Sequence, residues 1–164
     1  MRKATPVARR VLGECNDVTL KLRCNYANAF YQDPTATLDD LHEAVTTLED
    51  TARIARRVLG GAHPTTTSIE DHLGRARATL ALREAVTTLE ETARTAQRVF
   101  GTQNPLTVEI QSCLEIARSN LAVGVSVVAT GAEIGAGPLA TLAAVEKMQR
   151  TVTEMAAQLA QPAS

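Results

Sequence analysis

Residues 43–81, EAVTTLEDTARIARRVLGGAHPTTTSIEDHLGRARATLA, align without a gap onto residues 84–122, EAVTTLEETARTAQRVFGTQNPLTVEIQSCLEIARSNLA. The period is 41, and 22 of the 39 aligned positions are identical. A worn earlier copy begins at Ala8 (ARRVLGECNDVT) and runs six residues longer than the others. A period in this range marks a stacked array of small supersecondary units, each too small to bury its apolar face alone.

Within each period the apolar residues step by three and four. Leu41, Ala44, Leu48, Ala52, Ala55 and Leu59 make one stripe, and Ala85, Leu89, Ala93, Ala96 and Phe100 repeat it. A second pattern, Ile69, Leu73, Ala76 and Leu80, returns as Ile110, Leu114, Ala117 and Leu121, with Leu22, Tyr26 and Ala29 in the worn copy. Each period therefore holds two amphipathic helices. They are called here the first helix (after the Pro) and the second helix (after the Glu-Ala). Gly60 and Gly101 suit the positive-φ residue that closes a helix. Pro64 and Pro105 suit a first helical turn, and Asn16 and Asn104 suit its cap. Asp33-Pro34 supplies a turn inside the longer first copy.

One junction carries no punctuation. No Gly or Pro separates Ala81 from Glu84, which on its face reads as a single long helix. Leu80 and Leu89 are nine residues apart, about 900° at 100° per residue, so the apolar face turns through half a circle. A straight helix cannot bury both halves on one partner, and the pattern predicts a tight helix–helix turn near Leu80–Arg83.

After Ala122 the composition shifts. Residues 121–145 carry one charge, Glu133, and are broken by several glycines and Pro138. The expected organisation is a repeat domain over 1–122, a Gly-rich apolar connector over 123–138 and a terminal helix over 139–164 that caps the stack. The fold class expected is all-α: a short right-handed superhelix of about two and a half antiparallel helix pairs.

The segment EAVTTLEDTARIARRVLGGAHPTT resembles the EAExLYKRALxIxEKxLGxDHPxT segment of the tetratricopeptide (TPR) repeats of kinesin light chains, whose period is longer than the usual 34 residues. Glu43, Ala44, Leu59, Gly60, His63 and Pro64 stand on the motif positions, and Glu84, Ala85, Gly101 and Pro105 do so again. The resemblance implies a peptide or helix of a partner protein lying in a concave groove lined by the first helices, 17–31, 65–81 and 106–122. It places Asn25, in CNYA, where the family holds peptide backbone. His72 and Cys113 stand at the matching later positions. Asn28 and Lys21 share the helix of Asn25 and complete the expected partner-binding set.

Lys plus Arg (17) nearly cancels Asp plus Glu (18), so no net field favours nucleic acid. Aromatics are 2% of the chain, too few for base stacking. Three unpaired cysteines and a start without a signal-length apolar run point to a reducing, cytoplasmic setting. The Arg-rich start also suits an organellar transit peptide, although a worn helix end explains it more simply. His42, His63 and His72 lack the clustered mates a metal site requires. Glu70-Asp71-His72 are sequence neighbours on a helix and point about 100° apart, so they form no acid–base dyad. No phosphate or dinucleotide fingerprint appears. The expectation is a non-enzymatic interaction module with no cofactor and no metal, self-associating or held in a larger assembly because so few repeats sit near the limit of stability. The alternative is a structural subunit, membrane-associated through residues 121–145. Rows of arginine (Arg53 and Arg94, Arg57 and Arg98, Arg77 and Arg118) offer an acidic partner a handle, but the preferred reading pairs them with the interleaved Glu49, Asp50, Glu90 and Glu91, Glu49–Arg53 and Glu90–Arg94 having the favourable four-residue order.

Overall fold

The computed structural model describes residues 4–130 and residue 150. Every regular element among them is α-helical: α1 (Ala4–Leu12), α2 (Asp17–Tyr31), α3 (Leu38–Leu59), α4 (Pro64–Phe100) and α5 (Pro105–Thr130). The chain divides into two compact units, Met1–Leu80 and Ala81–Ser164.

Helix ends follow the chemistry of the repeat. α4 and α5 both begin at proline, whose missing N–H costs nothing in a first turn. Asn16 Oδ1 accepts from Val18 N at 2.9 Å, and Asn104 Oδ1 accepts from Leu106 N at 3.0 Å. In the middle copy His63 performs the same task, its Nδ1 accepting from Thr65 N at 3.2 Å. Gly13, Gly60 and Gly101 close the preceding helices at φ of 86°, 89° and 83°. Gly60 has ψ of 158°, a backbone region open to glycine almost alone.

In the first unit α2 packs on α1 and α3. Residues 32–37 form the α2–α3 turn. Asp33 accepts from Thr35 N at 2.8 Å, and Thr37 and Asp40 make a reciprocal capping box at the start of α3. α3 then turns through residues 60–63 into α4. Arg56 donates to Glu70 at 2.6 Å and Arg77 donates to Glu49 at 2.7 Å, which fixes an antiparallel register across that loop. The second unit repeats the arrangement. The second half of α4 and α5 enclose Ala85, Leu89, Ala93 and Ala96 with Ile110, Leu114 and Ala117, and Arg118 donates to Glu90 at 2.6 Å.

The reversal expected near Leu80–Arg83 is absent, because α4 runs unbroken for 37 residues. Position matching gives the reason. Asp17–Tyr31 corresponds to 64–78, and Leu38–Leu59 corresponds to 79–100. The lengths of α2 and α3, 15 and 22 residues, together equal that of α4. The six residues by which the first copy is longer are therefore the α2–α3 turn itself. Without them, Ala78 and Thr79, the counterparts of Tyr31 and Leu38, are adjacent and leave no residue to turn with.

A second change agrees with the first. α2 keeps Leu20, Cys24, Ala27 and Tyr31 buried along one stripe. The matching stripe of α4 is Thr67, Asp71, Gly74 and Ala78, of which the first three are exposed. Ala78 alone is apolar there, which leaves a returning helix little to cover. The half-circle rotation of the apolar face is real, but it marks a change of partner along one helix. The first half of α4 buries Ile69 and Ala76 on the α3 side, and the second half buries Leu89 and Ala93 against α5.

α5 continues as helix through residues 123–130, the first part of the stretch read as a connector. The rest of that stretch and the terminal helix read over 139–164 lie outside the described residues, save Arg150.

Candidate interaction surface

The three residues expected to hold a partner all lie on α2. Lys21 is exposed and donates to Asp17 Oδ2 at 2.6 Å, one turn back. Asp17 also accepts from the Thr65 hydroxyl at 2.7 Å, which ties the start of α2 to the start of α4. Lys21 and then Thr65 hold the Asp17 carboxyl below the usual carboxylate range. Asn25 is exposed. Asn28 is half-buried, and its Oδ1 is enclosed without a hydrogen-bond donor.

His72 points inward from α4. Its Nδ1 lies 2.5 Å from the hydroxyl of Tyr31, which is 1% exposed. Burial, helped by Arg75 and opposed by Asp71, lowers the basicity of His72. Burial, with nearby Cys24, pushes the Tyr31 phenol up, against Arg75. Burial alone pushes the Cys24 thiol up to about 11, so it is protonated and inert as a nucleophile. This buried group belongs to α2–α4 packing. His42 is exposed, and no cluster among the described residues has the make-up of a metal site.

Arg53, Arg77 and Arg118 pair with the interleaved carboxylates as expected, but not at the four-residue spacing. Arg53 pairs with Asp50 at 3.0 Å, one turn back. Glu49 and Glu90 instead reach across the hairpin to Arg77 and Arg118, as one rung repeated at the period of the chain. The Arg56–Glu70 rung becomes Gln97 and Gln111 in the second copy, both members having lost their charge together.

Between the two rungs of the first unit lies an open cleft of ≈ 650 Å³. Arg53, Arg56, Arg57 and Arg77 surround a floor of Ala52 and Leu73. A cleft of ≈ 670 Å³ between α1 and α2 is lined by Thr5, Arg9, Arg10 and Tyr26, the matching positions 47 residues earlier. Arg57 and Arg98 have no acidic partner among the described residues, and neither does Arg10.

Sequence reasoning missed which face the two copies keep. Residues 43–59 match 84–100 at 13 of 17 positions, whereas 65–81 match 106–122 at only 7 of 17. The seven are Thr66, Ile69, Leu73, Ala76, Leu80 and Ala81, which are buried or half-buried, and the rung residue Arg77. The exposed positions 67, 68, 71 and 74 have all changed. On the second helix Glu43, Thr46, Arg53, Arg57 and Val58 are exposed and identical to Glu84, Thr87, Arg94, Arg98 and Val99. Arg10 and Val11 keep the last two places in the worn copy, and Val11, Val58 and Val99 are 70%, 44% and 44% exposed. The two aligned copies carry this signal in their sequence, but only burial separates kept surface from kept core.

No helix among the described residues is long and apolar enough to cross a membrane. Most of the 121–145 segment lies outside the described residues. No family model, curated protein or solved structure matches the chain.

Proposed function

We propose that this chain is a non-enzymatic protein-interaction module, built from TPR-like helical hairpins, that meets its partner through the outer faces of its second helices. The unequal preservation of the two copies carries this reading. Both halves of the repeat were duplicated together, so age cannot make one diverge at its surface while the other does not. The helix macrodipole explains a cation in the last turn, such as Arg57. It does not explain an identical Glu43, Thr46 or Arg53, one to four turns earlier. An exposed valine beside an unpaired arginine, in every copy, is costly decoration for solvent and useful at a protein contact.

The rival surface is the groove over the first helices, with Lys21, Asn25 and Asn28. The hairpin of the first unit resembles the kinesin light chain type in its Leu-Gly-Gly-Ala-His-Pro loop. The test is R57E/R98E in the full chain, with unchanged circular dichroism as the fold control. A partner recovered reproducibly by the parent chain is lost by this variant and kept by K21E/N25E. The reverse pattern moves the function back to the first helices.

A further inference from the structure

Four exposed positions of α5 are aliphatic or acidic where α4 is not, while Glu70 and Asp71 of α4 become Gln111 and Ser112. Thr67, Ser68, Gly74 and Arg75 correspond to Val108, Glu109, Glu115 and Ile116. All four α5 residues are exposed, Val108 by 52% and Ile116 by 56%. Neither Glu109 nor Glu115 has an ion-pair partner among the described residues. At these four positions α5 presents two aliphatic side chains and two carboxylates where α4 has Thr, Ser, Gly and Arg.

The kept face of α3 is its complement, with Arg53 and Arg57 beside Ile54 and Val58. α3 is also the more basic and more aliphatic of the two second helices, since α4 has Gln97 for Arg56 and Thr95 for Ile54. We infer that a second copy of this chain docks here: the Val108, Glu109, Glu115 and Ile116 face of α5 in one copy covers the Arg53, Arg57 and Val58 face of α3 in the other. This rests on the interaction reading above and names one partner for it. Aliphatic residues supply the contact area, and the carboxylate–guanidinium pairs set orientation and rate. Two such contacts made reciprocally close a two-fold dimer, whereas a single one leaves an open chain.

Analytical ultracentrifugation of the full chain tests the inference. The parent chain self-associates in a concentration-dependent way, and added salt weakens it because exposed charge pairs are screened. V108S/I116S raises the dissociation constant by about tenfold or more, the scale set by two buried aliphatic side chains. E115R and R57E each weaken association, and the two together in one chain restore it, because every contact then carries a swapped pair. A monomer up to about 100 μM overturns the inference, that being well above the range of specific dimers. So does association that ignores V108S/I116S, or a double charge swap that fails to rescue. If the chain stays monomeric while R57E/R98E still abolishes capture of another protein, the dimer is refuted and the interaction reading stands.

Discussion

Ala81 sits where α4 passes from one unit to the next, and a proline there asks whether the helix is continuous. In an unbroken helix, Ala81→Pro removes the bond from its N–H to the carbonyl of Arg77 and drives its ring into that carbonyl. The cost is about 3 kcal/mol, against about 1 kcal/mol for Ala81→Gly at the same place. For a chain of this length those values correspond to falls of about 6–12 °C and about 2–4 °C in Tm. Thermal and urea melts followed at 222 nm would separate the two variants. A spin-label pair at the exposed positions Thr67 and Glu91, with the native cysteines replaced, gives an independent reading. Twenty-four residues at 1.5 Å rise put the labels about 36 Å apart along one helix, while a fold-back brings them within about 15 Å. If Ala81→Pro costs no more than Ala81→Gly, or the label distance is short, residues 64–100 turn back and the account of the missing six residues is wrong.

Two glycines should respond oppositely to the same change. Gly60→Ala forces a side chain into a glycine-only conformation with open space around it, a loss of about 1–2 kcal/mol from strain alone. Gly74→Ala, exposed inside α4 and equally unobstructed, gains about 1 kcal/mol, and urea melts of both check the signs. His63→Asn installs the cap used by the other copies and raises stability by about 0.5 kcal/mol, read as a higher Tm. The depressed basicity of His72 means the unfolded chain takes up its proton first. Its contribution is therefore full above about pH 6.5 and is lost as pH falls through the folded-state value, a slope that melts between pH 7.5 and 5 detect and His72→Gln removes. The exposed Arg56–Glu70 pair is replaceable as a unit. R56Q/E70Q, copying Gln97 and Gln111, changes stability by less than about 0.5 kcal/mol, whereas a larger loss shows the rung carries the hairpin.

Helix caps and the loops on either side of α4 were legible because local chemistry sets them. Pro64 and Pro105 open helices, Gly60 and Gly101 close them, and Asn104 caps where it should. The missing reversal was also written in the chain, as a length difference of six residues, but its meaning depended on knowing where α2 ends. The apolar face does rotate by half a circle, yet periodicity cannot say whether a helix turns back or acquires a new neighbour. The arginine rungs were beyond reach for a similar reason. Spacing along one helix favours Glu49–Arg53, and only the hairpin register brings Arg77 within 2.7 Å of Glu49. Asn25 was placed by resemblance, with Asn28 and Lys21 added from the same helix, and all three lie on α2, Lys21 and Asn25 exposed and Asn28 half-buried.

Near-identical hairpins in tandem carry a folding hazard, since α3 can close on the α5 of a neighbour as readily as on its own downstream strand of helix. The charge state of one rung distinguishes the two. A crossed closure sets Arg56 against Gln111 and Glu70 against Gln97, and each loses the ion pair that the correct closure makes. The bias is small, about 0.5 kcal/mol or roughly a factor of two. It acts during chain collapse, when both closures compete, and gives otherwise interchangeable segments separate addresses.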